Sequence, residues 1–451
     1  MSAELLQAPS PDRSLDELAN LAADVLARCK ANGASQAEVA VNLDSGLNVN
    51  VRMGEVETVE HTRDRGVAIT VYFGQRKGSA STADVHPDSI ATTIEQACAI
   101  ARYTEADPCA GLADADRMAT YFPDLDQWHP WALDAAHAIE LGIEAEASGR
   151  ALDARLNNSD GASVSSGASR GLYANSHGFF GREKATRHSL SCALLGEDAN
   201  GMQRDYWYTT GCAMTDMESA QAVGRRAGER TLARLSPRRI ATQECAVLFT
   251  PEVARSIVGH LVGAVSGGAL YRRASFLLDT AGQRLFPLWF NIVERPHLRR
   301  GAGSSAFDAE GVATIDQDLI RDGVLARYVL GSYSARKLGL RSTGNAGGTH
   351  NLVVSANAGD FADMLQRLGT GFLVTELMGQ GVNTVTGDYS RGASGFWVEN
   401  GVIQFPVDEV TIAGQLRQMF DRIDAVGSDV DRRGSILTGS ILIGKMMVAG
   451  S

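Results

Sequence analysis

The chain has 451 residues, which is enough for two or three domains with substantial hydrophobic cores. Its formal net charge of −11 argues against a nucleic-acid-binding protein, because phosphate neutralisation needs a basic surface. The N-terminus lacks a signal-peptide pattern, no run is apolar enough for a membrane helix, and the six scattered cysteines do not suggest a disulfide framework. We therefore expect a cytoplasmic protein with neither nucleic acid nor membrane as a partner.

The first part of the chain has the pattern of an α+β segment, which we assign to residues 1–125. Helical spacing over residues 14–32 predicts a helix that starts at a Ser14 to Glu17 capping box and ends at Gly33. Apolar residues alternate with polar ones in "LNVNVRM" and "GVAITVYFG", which predicts antiparallel strands with one buried face. The stretch "DSIATTIEQACAIARY" predicts a second helix.

A central segment follows over residues 126–240. Its pattern predicts a helix from about 131 to 149, a strand-rich stretch from 151 to 215 and a further helix that ends before Pro237. The sequence leaves open whether this segment packs with the first one as a single domain.

Many short strands are predicted from residue 241 to the end, which indicates a β-rich, barrel-like C-terminal domain. "CAVLF" is typical of a buried strand, and residues 250–266 have the spacing of a helix. Asn400-Gly401, between two apolar runs, predicts a type I′ hairpin turn. The whole chain is therefore expected to be α+β, with antiparallel sheets before this domain.

The helix over residues 250–266 contains "GHLVGAV", and a histidine at this place is how many zinc peptidases begin their metal site. No glutamate follows His260, and no second histidine comes within two turns. The residues Ile257, Leu261 and Val265 lie on one apolar ridge, with His260 at its edge. Taken alone, this pattern predicts a packing helix with one partly buried histidine.

Two short motifs match known nucleophile or phosphate sites only in part. "GSILIGKM" lacks the Ser or Thr that should follow Lys445 in a phosphate-binding loop. "GASRG" matches a nucleophile elbow, but its flanks lack the buried strand and the helix that the elbow needs. We therefore expect Ser169 to be an ordinary turn residue.

Longer stretches of the sequence resemble the TldD/PmbA family, and specifically its PmbA branch, also called TldE. The resemblance runs from about residue 37 to the end. It is carried by "NSHGFFG", "ATRHSL", "RDYWYTTG", "RTLARLSPRR", "GHLVGAVSGGALYRRASFLLD", "YSARKLGLRSTGNAGGTHN" and "TELMGQGVNTVTGDYSRGASGFWVENG".

The resemblance implies a degenerate metal site. The zinc-binding TldD branch carries H-E-x-x-x-H on the corresponding helix, and a C-terminal cysteine is a further ligand. In this chain the first histidine is His260, while Leu261 stands for the glutamate and Val265 for the second histidine. Thr438 stands in the cysteine's place. The resemblance thus implies that this chain has no catalytic residue of its own and binds no metal or cofactor, with zinc in a TldD-like partner.

The resemblance also implies a partnership, in which this chain and a TldD-like subunit form a heterodimeric peptidase that encloses a chamber. Unfolded or extended peptides are its substrates, such as a microcin leader or a labile antitoxin. A homodimer is the alternative when no partner is present. Residues 379–395 are our candidates for a peptide-lining loop, although turns between strands are the plainer interpretation. The candidate side chains and glycines are Gly379, Gly381, Asn383, Arg391 and Ser394.

Two other functions stay open at this point. The chain could be a metallopeptidase by itself, with ligands recruited from distant residues. It could instead be a non-enzymatic, homodimeric peptide-binding protein.

Overall fold

The computed structural model describes residues 11–450. Its first elements are helix α1 (Pro11–Ala31), strands β1 (Gln36–Arg52), β2 (Glu55–Phe73) and β3 (Arg76–Thr82), and helix α2 (Pro87–Tyr103). The predicted capping box is wrong, because α1 already includes Pro11 and Ser14 therefore lies inside the helix. Gly33, with φ of +88°, follows the end of the helix as predicted.

Strands β1 and β2 show the predicted alternation. Val67, Ile69 and Val71 are fully buried, and they pack with residues of α1 and α2 in one hydrophobic cluster. Met53 departs from the pattern, because it lies in the tight turn between the two strands, has a positive φ and is exposed. The expected burial of Met53 is therefore wrong, whereas the antiparallel pairing of the two strands is confirmed.

The central part of the chain continues the same sheet. Its elements are α3 (Ala135–Arg150), β4 (Asn158–Asn175), β5 (Phe180–Asp198), β6 (Gly201–Gly211) and α4 (Ala220–Ala233), with 3-10 turns at Ala115–Arg117 and Met214–Asp216. The six strands have the order β3-β2-β1-β4-β5-β6, and every neighbouring pair is antiparallel. Ser169 lies within β4, paired with Asp44 and Ala185, so the expected turn there is wrong.

The remaining elements form the C-terminal part of the structure. They are β7 (Gln243–Phe249), α5 (Pro251–Ala264), α6 (Gly267–Tyr271), β8 (Ile292–Glu294), β9 (Gln317–Arg321), β10 (Val324–Leu325), α7 (Ser332–Lys337), β11 (Leu352–Val354), α8 (Phe361–Leu368), β12 (Gly371–Met378), β13 (Asp388–Glu399), β14 (Val402–Gln415), α9 (Leu416–Asp421), β15 (Ile423–Val426), β16 (Ile436–Leu437) and β17 (Ile441–Ala449).

Five of these strands close into a barrel, as the sequence predicted. The ring runs β14-β13-β12-β7-β17 and closes where Thr411 of β14 pairs with Ala449 of β17. A separate sheet has the order β10-β9-β8-β11-β16. The predicted type I′ turn is confirmed, since Asn400 and Gly401 both have positive φ between β13 and β14. Among residues 11–450, no helix is long and apolar enough to cross a membrane.

Candidate functional site

Helix α5 carries the degenerate metal-site positions, and its placement follows from its sequence. Strand β7 leads directly into it, with Thr250 as the N-cap residue and Pro251 at the first helical position. Its buried face is made of Ala254, Ile257, Val258, Leu261 and Ala264, all part of the largest hydrophobic cluster. This face packs against β7, β12 and β16, so the helix is fixed against the barrel and the second sheet.

His260 lies at the edge of the apolar face, as predicted, and is partly buried. Its ring meets that of Tyr389 of β13 edge-on, with 5.9 Å between the ring centroids. The Nε2 atom is buried and has no hydrogen-bond partner among the described residues. Burial lowers the pKa of His260, and the positive charge of Arg391 lowers it further. The neutral form of the imidazole is therefore favoured. A cation bound beside it would be repelled by the positive charge of Arg391.

The positions that the family motif fills with a glutamate and a second histidine are part of the core. Leu261 and Val265 are both fully buried and belong to the same hydrophobic cluster as the barrel strands. Val265 is the C-cap residue of the helix, and its N–H donates to the carbonyl of Leu261 at 3.0 Å. Neither side chain can accept a proton or hold a metal. At either buried position, a polar group would be left without a hydrogen-bond partner.

Thr438 follows β16, one of the strands against which α5 packs. The side chain is fully buried, and its hydroxyl donates to the carbonyl of Gly439 at 3.0 Å. A threonine hydroxyl is a weak neutral ligand compared with the thiolate of a cysteine. Within residues 11–450, no group of three His, Cys, Asp or Glu side chains is arranged to hold a metal ion. The residues at the family's metal-site positions therefore do not fit a zinc ion.

The predicted peptide-lining residues divide into two groups. Gly379, Gly381 and Asn383 lie in the exposed loop between β12 and β13, where Asn383 accepts the backbone N–H groups of Val385 and Thr386. The loop is held close to the barrel, since the N–H of Ser390 donates to the carbonyl of Gly381 at 2.7 Å.

Arg391 and Ser394 lie in β13 itself. Arg391 is partly buried and close enough to His260 to affect its pKa. Ser394 is 2% exposed and donates its hydroxyl to Asp408 at 2.5 Å, so in this structure it is engaged inside the protein. A role of the five residues in peptide binding stays a prediction.

A cavity at the first turn of α5 is a feature that sequence reasoning missed. Its volume is about 450 Å³, and it lies between α4, the start of α5 and strands β12 and β13. Its lining includes the apolar side chains of Leu373 and Phe396 and the charged side chains of Arg226, Glu229 and Glu252. Such a site can accept a side chain with an apolar body and a charged tip. No local sequence pattern indicates it, because its walls come from distant parts of the chain.

Charged side chains beside this cavity connect the central part of the chain to the C-terminal part. Arg433 donates to Glu252 of α5 at 3.2 Å and to Asp431 at 2.9 Å. Its guanidinium lies 4.1 Å from the ring centroid of Trp207 in β6. Burial acts to raise the pKa of Asp431, but the hydrogen bonds and charge of Arg433 outweigh it and hold that pKa below its usual value. The N-terminal end of α5 is thus part of an interface between the two parts.

Arg234 extends the same set of charges. It lies at the end of α4, donates to Glu376 of β12 and is also within ion-pair distance of Asp205. Asp205 and Arg234 are both buried, so each charge needs a partner, and Asp205 is also paired with Arg230 at 3.2 Å. The contact ties α4 to a strand of the barrel.

Comparison with known proteins places these observations in a family. Three family models match consecutive parts of the chain: PmbA/TldA metallopeptidase domain 1 (residues 37–101), the central domain (128–235) and the C-terminal domain (242–450). The chain is 48% identical to "Metalloprotease PmbA" of Escherichia coli O157:H7 over 444 residues, which is 98% of each chain.

Solved structures agree with the fold. A protein of Bacteroides thetaiotaomicron, described as a candidate modulator of DNA gyrase, matches with a TM-score of 0.92 and 26% identity over 97% of this chain and 99% of that one. TldE from Thermococcus kodakarensis matches with a TM-score of 0.80 and 17% identity, over 95% of this chain and 100% of that one. At that identity, the second match supports the fold alone.

Proposed function

We infer the function from one premise, that this chain belongs to the PmbA/TldD family of metallopeptidases. We propose that it is the non-catalytic, PmbA/TldE-type subunit of a heterodimeric zinc metallopeptidase. Its TldD-like partner carries the zinc ion and performs the hydrolysis. The complex acts in the cytoplasm on unfolded or extended peptides, such as a microcin leader or a labile antitoxin.

The single observation that carries this proposal is the apolar packing at the C-terminal end of α5. Peptide hydrolysis by zinc needs ligands for the metal and a base beside the metal-bound water. Of the family's helix positions, only His260 has a side chain able to bind zinc, whereas Leu261 and Val265 are packed in the core. A lone neutral imidazole does not make a zinc site that survives competition from other zinc-binding sites.

The loop between β12 and β13 supports a role in holding peptide. It is exposed, and it is anchored at Gly381 and Asn383 by backbone hydrogen bonds. We propose that this loop lines the chamber and contacts the backbone of an extended peptide, as in recognition by β-strand addition. Such contacts require little of the peptide sequence, which suits a peptidase of unfolded chains.

One specific observation favours a second candidate function. The E. coli relative, 48% identical over almost its whole length, bears the name of a metalloprotease in its own right. Under this alternative, the chain alone binds zinc through residues that come together only when a peptide binds, and His260 is one of the ligands.

The deciding experiment pairs metal analysis with a cleavage assay on casein or another unstructured peptide. It uses this chain alone, a TldD-like partner alone, and the mixture. We expect no stoichiometric zinc and no cleavage from this chain, with cleavage in the mixture. His260→Ala is the internal control, because it leaves the activity of the mixture intact if the partner holds the zinc ion. Stoichiometric zinc and chelator-sensitive cleavage by the lone chain, abolished in His260→Ala, would establish the alternative.

The peptide-lining role has its own test. A photo-crosslinking amino acid replaces Val385 in the loop or, as a matched control, Val402 at the start of β14. Both valines are similarly exposed, at 52% and 56%. With an unstructured peptide and the assembled mixture, we expect crosslinks at position 385 and few at 402. Equal yields at both positions would contradict the loop assignment.

A further inference from the structure

Three polar side-chain atoms lie buried without a hydrogen-bond partner at one place beside α5. They are Nε2 of His260, the hydroxyl oxygen of Tyr389 and Nε of Arg391. Residues 11–450 contain six buried atoms of this kind, and three of the six are here. A buried polar atom that forms no hydrogen bond costs free energy, so three together call for a partner that all of them share.

The three side chains are neighbours because α5 meets the inner face of β13. Tyr389 and Arg391 are two residues apart on that strand, so their side chains lie on the same face, with about 7 Å between the Cα atoms. The ring of His260 lies 5.9 Å from that of Tyr389, centroid to centroid, and the charge of Arg391 acts on the pKa of both rings. Tyr389 is 1% exposed, and the other two side chains are partly buried. The three side chains therefore border a common position.

Only one of these side chains carries a charge, and no described group balances it. Within residues 11–450, Arg391 has no ion pair, and its guanidinium donates no hydrogen bond to another residue. Burial lowers the pKa of His260 and raises that of Tyr389, which leaves both side chains uncharged near neutral pH. No carboxylate is among the groups that shift either pKa. The place therefore has one positive charge that the described residues do not compensate.

The donors and the charge fit a carboxylate. The guanidinium presents its N–H groups in a planar fork that matches the two oxygens of a carboxylate. The phenol O–H and one tautomer of the neutral imidazole are further donors. A carboxylate brings one negative charge, which balances Arg391. Inorganic phosphate carries nearly two at neutral pH, and the second would stay uncompensated in a partly buried place.

Solvent reaches this position along α5. Gly263 comes three residues after His260, so it lies on the same side of the helix, and it is exposed. A Cβ atom built at Gly263 would have no other atom within 4 Å. The chain therefore leaves room for a small anion to approach the imidazole.

We propose that His260, Tyr389 and Arg391 bind a carboxylate. The helix position that begins a zinc site in the TldD motif thus serves an anion in this chain. A small free carboxylic acid and the C-terminal carboxylate of a peptide both have the required chemistry. The proposal rests on the proposed function in one respect, namely that His260 is not a ligand of zinc.

The first test measures the binding of ¹³C-labelled acetate to the full chain, with and without a chelator. Broadening of the acetate NMR signal reports the bound fraction. We expect binding by the wild type, and a dissociation constant about 10- to 100-fold higher for Arg391→Gln, because hydrogen bonds to a charged group are lost. Tyr389→Phe removes one hydroxyl and should raise the dissociation constant about 3- to 10-fold. Inorganic phosphate at matched ionic strength should not displace acetate.

The matched control is Arg239→Gln, which makes the same change in net charge at an exposed ion pair with Glu409. We expect it to leave acetate binding unchanged. Arg391→Gln removes a charge that has no partner among the described residues, so this variant should stay folded, and thermal unfolding of each variant verifies it.

A second test identifies the source of the carboxylate. It uses two versions of one unstructured peptide, one with a free C-terminal carboxylate and one with a C-terminal amide. Displacement of acetate by the free acid, and not by the amide, assigns the site to a peptide terminus. Any other pattern assigns it to small free acids.

Several results would overturn the proposal. It fails if the wild type binds no acetate, if Arg391→Gln or Tyr389→Phe binds acetate as the wild type does, or if phosphate displaces acetate. The chelator separates this inference from the proposed function. If the chelator abolishes acetate binding, the anion is held by a metal ion and both proposals fail. If acetate does not bind under either condition, only the carboxylate site is lost, and the non-catalytic role stands.

Discussion

The two ends of helix α5 differ in what surrounds them. At its start, Glu252 accepts a hydrogen bond from Arg433, and Arg255 donates to Tyr208 of β6 at 3.1 Å, beside a cavity with charged lining residues. At its other end, Leu261 and Val265 are fully buried among the barrel side chains. The first end therefore joins the central and C-terminal parts of the chain through charges, whereas the other end packs within the C-terminal part through apolar contacts.

Under the proposed function, this difference shows which end of the helix has packing side chains in place of hydrolytic ones. The positions that carry zinc chemistry in the TldD motif lie at the apolar end, and there this chain has side chains that fill the core. The helix itself is kept, because both ends still fix the barrel relative to its neighbours. Under the proposed function, the helix has a structural purpose without catalytic residues, as a subunit that completes a complex requires.

The largest expected effect comes from a carboxylate at the apolar end. We expect Leu261→Glu to lower the free energy of unfolding by about 4 kcal/mol or more, because a fully buried charge would have no partner. Leu261→Met, of similar volume and apolar, is the matched control and should cost less than about 1.5 kcal/mol. Urea denaturation measures both. If the two variants are equally stable, that end of the helix is open to water and the comparison between its ends is wrong.

A smaller effect is expected at the charged end. Arg433→Ala removes contacts to Glu252, Asp431 and Trp207, and leaves the 5%-exposed carboxylate of Asp431 short of a partner. We expect a loss of about 2–4 kcal/mol in the free energy of unfolding. The control is Arg239→Ala, whose ion pair with Glu409 is well exposed and should contribute less than about 1 kcal/mol.

Equal losses for Arg433→Ala and Arg239→Ala would mean that the charges beside α5 do not hold the two parts of the chain together. Chemical denaturation of both variants, followed by Trp fluorescence, decides the matter. The signal is informative because Trp207 contacts the side chain that is removed.

Much of the fold could be predicted from local pattern. The alternation of apolar and polar residues predicted β2, where every second residue from Val67 to Val71 is an apolar, buried side chain. The Asn400-Gly401 pair predicted a hairpin. Closure of the barrel rests on pairing between β14 and β17, which depends on tertiary packing and has no local signal. Met53 was expected in the buried pattern, because the period of two gives no sign of where a turn interrupts it.

The candidate site was predictable only in part. The four family-motif positions were found by resemblance, and the apolar spacing of α5 independently predicted that Leu261 would be packed. The environment of His260 depends on Tyr389 and Arg391. The sequence does not predict these contacts, because both residues come from a strand far along the chain. Their alternate positions on β13 show that they share a face, but not which helix that face meets.

The smallest expected effect is a pH dependence that also tests the apolar end of α5. The folded-state pKa of His260 is lowered, so as pH falls below about 6.5 the unfolded chain binds a proton at this residue more readily than the folded chain. The stability that comes from the neutral, buried imidazole is therefore present above that pH and is lost on acidification. We expect the wild type to lose more free energy of unfolding between pH 7 and pH 5 than His260→Gln.

Two further variants identify the cause of this pH dependence. Tyr389→Phe keeps the ring that covers His260, so burial and the pH dependence should remain. Arg391→Gln removes the nearby positive charge and should weaken the dependence without abolishing it, because burial is the larger cause of the lowered pKa. Denaturation curves at both pH values measure all four proteins. If wild type and His260→Gln lose the same amount, the imidazole is solvated in solution, and the apolar end of α5 is more open than its packing indicates.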